Sequence, residues 1–166
     1  KNAAKLLRSL EKARALPLAR WIHAIGIPNV GVSTARQLAS NHDSLERLAD
    51  SDYLKALREL DIIEAHMKKI NPRSRKNPPA NDREREERRQ KHEEFDKKTE
   101  TLRQTIRDNA PTGNDEIGPV VANSVLDFFA ADSGKRLLER LNELDIHPRA
   151  EKKTGEPQEK PLEGKT

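Results

Sequence analysis

Trp21-Ile22-His23-Ala24-Ile25-Gly26-Ile27-Pro28-Asn29-Val30-Gly31-Val32-Ser33-Thr34-Ala35-Arg36-Gln37-Leu38-Ala39 reads as helix, turn, helix. Apolar residues recur at helical spacing up to Ile25, break across Gly26 to Gly31, and resume that spacing from Val32. Ile27 and Val30 are expected to turn back into the helix pair. Gly26 ends the first helix at a position that calls for positive φ. Gly31 opens the second helix with no side chain, so its first N–H groups lie bare. Unpaired N–H groups backed by the positive end of a helix dipole attract an anion. On a chain of net charge +4 and pI near 9.4, the expected anion is a nucleic-acid phosphate.

The pattern returns near the other end. Ile117-Gly118-Pro119-Val120-Val121-Ala122-Asn123-Ser124-Val125-Leu126-Asp127-Phe128-Phe129 again sets an apolar residue before glycine at the mouth of a helix. Val121, Val125, Phe128 and Phe129 keep the buried period. Two mouths predict two phosphate sites, acting mostly through main-chain N–H. Gly26, Ile27, Asn29, Gly31, Val32, Ser33 and Thr34 belong to the first; Gly118, Val120 and Val121 belong to the second. The hydroxyls of Ser33 and Thr34 can add side-chain contacts, and Arg36 and Lys135 are flanking charges. None of these groups is a reader of base edges, so binding without sequence preference is expected.

Outward from the first corner, residues 2–15 place Leu6, Leu7 and Leu10 on one face of an amphipathic helix, and Pro17 suits the first turn of the next. Leu18, Trp21, Ile22, Ile25, Ala35 and Leu38 are candidate core. Asp43-Ser44-Leu45-Glu46 fits a capping box ahead of a short helix that buries Leu45 and Leu48. Ser51 or Asp52 starts a longer helix, in which Leu54, Leu57, Leu60, Ile63, Met67 and Ile70 recur until Asn71-Pro72 stops it. Residues 71–81 are a loop. From Asp82 to Asp108 the chain is almost wholly charged, with Glu84–Arg88, Glu87–Lys91, Glu93–Lys97 and Glu94–Lys98 in the favourable helical order. Phe95, Leu102 and Ile106 are its only large apolar residues. Two antiparallel helices over 52–109 are therefore expected, their seam closed by Ile63, Met67 and Ile70; the competing reading leaves 71–100 disordered. Asp132 or Ser133 is the expected cap of a last helix with Leu137, Leu138, Leu141 and Leu144 inward, and 149–161 reads as a linker.

Composition narrows the classes. Of 166 residues, 33% are hydrophobic and 36% charged, so the core is small for the length. Aromatics at 3% argue against base-stacking platforms. The absence of cysteine excludes disulfides, thiol catalysis and cysteine-bound zinc within this stretch. No apolar run approaches a membrane span and no signal peptide is visible, so a cytoplasmic protein without a membrane partner is expected. The chain opens at Lys1 and reads as a piece of something longer. His23, His42, His66, His92 and His147 have no metal-ligand spacing. Glu163-Gly164-Lys165-Thr166 looks like the end of a phosphate-binding loop, but Glu159 stands where its upstream glycine belongs.

The glycine-closed corners resemble the helix-hairpin-helix motif, a small clamp for the DNA backbone. As a pair, in this order, they resemble the helix-hairpin-helix domain of bacterial NAD-dependent DNA ligases. Leu18 to Gly31 looks like that family's third hairpin, Ile117 to Phe129 its fourth, and Pro161 to Thr166 the first residues of the BRCT domain that follows. The resemblance implies an all-α fold: hairpin parts at 1–60 and 113–148, a charged helical insertion at 61–112, a linker at 149–161 and the BRCT start at 162–166. It implies a non-catalytic, monomeric fragment that grips nicked double-stranded DNA from the minor-groove side, in a bacterial cytoplasmic enzyme at the nucleoid. NAD, magnesium and zinc are implied for the full-length ligase, with the adenylated lysine, NAD pocket and zinc cysteines upstream. Departures are the insertion, which interrupts the fourth motif after its first helix, and Glu116, which replaces the first glycine of that turn and would repel phosphate. His42 and Asp43 also stand where an aromatic and a glycine are usual. Two alternatives remain: a scaffold that uses 61–112 as an arm for an unknown protein partner, and the hairpin module of a repair nuclease.

Overall fold

Side-chain caps set three of the helix starts. Ser44 Oγ accepts the Arg47 N–H at 3.3 Å, Ser51 Oγ accepts the Leu54 N–H at 3.3 Å, and Asn81 Oδ1 accepts the Glu84 N–H at 2.8 Å. The computed structural model describes residues 2–110 and 117–151, without the side chains of 2–4, 6 and 7. Among these residues there are eight helices and no strand: α1 Asn2–Arg14, α2 Leu18–Ile25, α3 Val32–Asn41, α4 Leu45–Ala49, α5 Asp52–Lys69, α6 Asp82–Asn109, α7 Pro119–Ala130 and α8 Asp132–Glu143. The fold is all-α. No helix in this set is long and apolar enough to cross a membrane.

Two helix pairs build the core. α2 packs on α3, and α5 packs on α7, with α4 and α8 also against α7. Leu18, Ile22, Leu38, Leu45, Leu48, Leu54 and Val125 are fully enclosed between them. The two pairs bury matching positions in the same order: Val30 and Ile117, Ala35 and Ala122, Leu38 and Val125, Ala39 and Leu126. Each fully buried aliphatic side chain contributes roughly 1.5–3 kcal/mol. The internal repeat read from the glycine pattern is thus carried into packing.

The charged excursion is an arm. Asn109, at the end of α6, lines the same hollow as Ser51, Asp52 and Tyr53 at the start of α5, so the two helices run antiparallel. His66 and Phe95 meet edge to face at 5.3 Å, and Ile63 on α5 and Thr99 on α6 are both buried. Met67, Ile70, Leu102 and Ile106 are half-buried. The expected helix-face pairing holds only at Glu84–Arg88 (2.6 Å). Lys98 instead crosses to Glu59 on α5, and Arg103 crosses to Glu64. The bases serve the seam because it has too few apolar residues to close alone.

Other expectations need correction. The cap of α4 is Ser44, one residue later than a box opened by Asp43 requires, and Arg47 rather than glutamate stands three residues on. α8 starts at Asp132 with Ala131 ahead of it and no side-chain cap, so neither Asp132 nor Ser133 fills that role. Leu144 is 39% exposed and Leu10 56% exposed, so neither joins the core. The first residues of the expected linker are docked. The Arg149 carbonyl accepts the Leu18 N–H at 2.9 Å, and Ala150 packs against the core. The side chains of Leu6 and Leu7, together with Glu116 and everything from 152 onward, including the expected BRCT start, lie outside what the structure describes.

His42 closes the end of α3 from inside. Its Nδ1 donates to the Leu38 carbonyl at 2.7 Å, which makes Nε2 the acceptor for Ser51 Oγ at 2.7 Å. Burial therefore holds its pKa below the ordinary value, although the Leu38 carbonyl and Asp43 pull the other way. With the folded pKa depressed, the unfolded chain binds more protons between the two values, so stability falls as pH drops through about 6.5. Urea unfolding between pH 7.5 and 5.5 is expected to show that loss, and His42→Gln to flatten it. An equal slope in the variant would contradict the assignment.

Candidate nucleic-acid interface

Helix mouths normally cover their first N–H groups with a side chain. Those of α2, α3, α7 and α8 do not, and of these α3 and α7 have glycine at the mouth where α2 has Pro17 and α8 has Ala131. Gly31 precedes α3 at φ −84°, ψ −177°, and Gly118 precedes α7 at φ −83°, ψ 168°; neither helix has a side-chain cap. The first helical bonds are matched as well, Ala35 N–H to the Gly31 carbonyl at 2.8 Å and Ala122 N–H to the Gly118 carbonyl at 3.1 Å. That leaves the N–H groups of Val32, Ser33 and Thr34 at one mouth, and of Val120 and Val121 at the other, without an acceptor among the described residues. Pro119 has no N–H to satisfy.

Neither glycine is required by the fold. Both have negative φ, and a Cβ built on either meets nothing within 4 Å. Any residue could stand there as far as this chain is concerned. Gly26 is different: at φ 76° it ends α2 in the left-handed region, where a side chain is strained.

The predicted residues divide by exposure. Gly31, Val32, Ser33, Gly118 and Val120 are exposed, with Val32 at 48% and Val120 at 63%. Thr34 and Val121 are half-buried. Ile27 is 3% exposed and can offer only its backbone. Asn29 sits in the turn at φ 62°, and its Nδ2 donates to Ser124 Oγ on α7 at 2.8 Å. Its side chain clips the first corner to the second. Arg36 and Lys135 are exposed and in no ion pair among the described residues. Arg36 lines a groove shared with Asp43 and Glu151.

Sequence reasoning missed the residue that holds the second corner together. Arg58 on α5 reaches α7, where its Nε donates to Asn123 Oδ1 at 2.7 Å. Its Nη2 donates to the Asn123 carbonyl at 2.8 Å and to Asp127 Oδ1 at 2.7 Å. Arg58→Ala is expected to lower stability by roughly 1 kcal/mol, a modest figure because Asp127 is largely exposed to solvent. Chemical denaturation checks it; an unchanged midpoint would reject the clamp. The local signal was an arginine on the inner face of an otherwise leucine-rich helix.

No protein-family model and no solved structure matches the chain. Curated relatives do. A DNA ligase of Akkermansia muciniphila is 36% identical over 162 aligned residues, covering 91% of this chain and 20% of that protein. A match of that extent spans 61–112. A DNA ligase of Cellvibrio japonicus is 46% identical over 52 residues, 31% of this chain and 8% of that protein. The chain spans about a fifth of the first relative's length, and across nine-tenths of its own it is similar to a DNA ligase.

Proposed function

We propose that this chain is the duplex-binding helix-hairpin-helix domain of an NAD-dependent DNA ligase. The observation that carries the reading is the pair of uncapped glycine mouths with nearly the same backbone conformation, fixed to one another through Asn29 and Ser124. Each mouth presents main-chain N–H groups and the positive end of a helix dipole, a combination suited to one phosphate. Two mouths held by one core suit two phosphates of one duplex. Similarity to DNA ligases supplies the biological setting. In that setting the domain holds a nicked duplex while other parts of the enzyme use NAD, magnesium and zinc. No residue of this chain is assigned to those groups.

Titration of nicked, intact and single-stranded DNA across a salt series tests the reading. Phosphate binding predicts a steep fall of log K with log salt, about 0.9 per phosphate neutralised, and equal affinity for unrelated duplex sequences. Salt-independent or sequence-selective binding would reject it.

A further inference from the structure

The charge of this protein is concentrated at one place. Between Lys68 and Lys91 there are ten basic and four acidic residues, a net of +6, against +4 for the whole chain. This span is the end of α5, the loop and the first part of α6: the tip of the arm. The shaft is the reverse. On α5, from Asp52 to Met67, four acidic residues accompany two basic ones; on α6, from Glu93 to Asn109, five acidic residues accompany four basic ones.

The tip's arginines and lysines fall into two groups. Arg83, Arg85, Arg88 and Arg89 are held by carboxylates of their own helix, at Glu87, Asp82, Glu84 and Glu86. Lys68, Lys69, Arg73, Arg75, Lys76 and Lys91 are exposed and make no ion pair among the described residues. Arg73 from the loop shares a cleft with Arg85, Glu86, Arg89, His92 and Glu93 of α6. Six unpaired cations on one tip repel one another, an arrangement that a polyanion relieves. The span holds no Phe, Trp or Tyr, so it has no platform for stacking unpaired bases. Charge without stacking suits the phosphate rails of a duplex.

We propose that the tip of the α5–α6 arm is a second backbone-binding surface for duplex DNA, remote from the two glycine mouths. The proposal rests on the duplex-binding reading above and extends it to a separate site. α5 has 18 residues. Arg58 meets α7 at Asn123 and Asp127, and α5 ends 11 residues further on at Lys69, about 16 Å at 1.5 Å per residue, which is roughly five base pairs of duplex. The shaft's acidic balance keeps DNA off the arm between the two sites. The tip lengthens the footprint of the domain and adds salt-sensitive affinity without sequence preference.

The test uses the whole chain and the variant K68Q/K69Q/R73Q/R75Q/K76Q/K91Q. All six positions are exposed and unpaired, and circular dichroism checks that helix content is kept. Fluorescence anisotropy with a loop-closed hairpin duplex of about 5 base pairs, no longer than that separation, and a duplex of about 30 base pairs reads the outcome. On the long duplex the variant is expected to bind at least about 10-fold more weakly with a shallower salt slope, while the short duplex changes less than about two-fold. Unchanged affinity on the long duplex overturns the proposal, and an equal loss on both lengths overturns the remote placement. Tighter binding of polyglutamate than of duplex through these residues would also overturn it, in favour of an acidic protein partner. The Gly31→Asp variant separates the two sites. If it leaves short-duplex affinity intact while the tip variant weakens the long duplex, the mouths fail and the tip stands; the converse result removes the tip alone.

Discussion

Gly31→Asp is expected to weaken duplex binding by about 10- to 100-fold while the protein stays as stable as before. The size follows from charge-assisted hydrogen bonds, each worth roughly 1.5–3 kcal/mol. The stability follows from geometry. Gly31 has extended backbone that any residue adopts, and nothing stands within 4 Å of a Cβ there. Aspartate is also a preferred N-cap, and its carboxylate would accept the N–H groups of Ser33 and Thr34 itself. The substitution thus fills the proposed phosphate position from within and leaves a negative charge at the mouth. Gly118→Asp should repeat the effect at the second mouth. Anisotropy titration reads the affinity and thermal unfolding reads the stability. A joint loss would mean that Gly31 serves the fold; unchanged affinity would mean that no phosphate sits there.

Gly134→Ala is expected to do the opposite, costing about 3 kcal/mol of stability through the fold alone. Gly134 is buried in the first turn of α8, where the chain doubles back on the end of α7. A Cβ there would meet the Phe128 carbonyl oxygen at 2.2 Å, Phe129 Cα at 2.7 Å and Phe128 C at 2.9 Å. These are main-chain atoms in a continuous helix, so no side chain can swing aside; α8 must move bodily. Overpacking of this kind costs about 1–3 kcal/mol or more. The displacement would also disturb Leu141 and the edge-to-face pair of Phe128 and Phe129. Urea unfolding measures it, and an unfolding midpoint like the parent's would contradict the close approach.

These glycines mark what could and could not be read from sequence. Gly31 and Gly118 announce themselves because each stands beside an apolar residue where helical periodicity begins, a signal contained in a few neighbours. Ser51 and the leucines of α5 are legible for the same local reason. Gly134 carries no such signal: its need arises from α7, and only packing reveals it. Arg58 with Asn123, Asn29 with Ser124 and Arg149 with Leu18 likewise join residues far apart in the chain. Thr99 and His42 escaped because polar residues are expected outside, and only their partners make burial tolerable. The arm was legible as a helix pair from charge order and a sparse stripe. Its cross-helix ion pairs were not, since lysine and arginine choose partners by reach rather than by register.

The claim that main-chain amides at two glycine mouths grip a duplex can be observed directly. In a ¹H–¹⁵N titration of the uniformly labelled chain with a short duplex, the amides of Val32, Ser33, Thr34, Val120 and Val121 should shift together and saturate with one affinity. Shifts that leave these five amides in place while the duplex binds elsewhere would contradict the account.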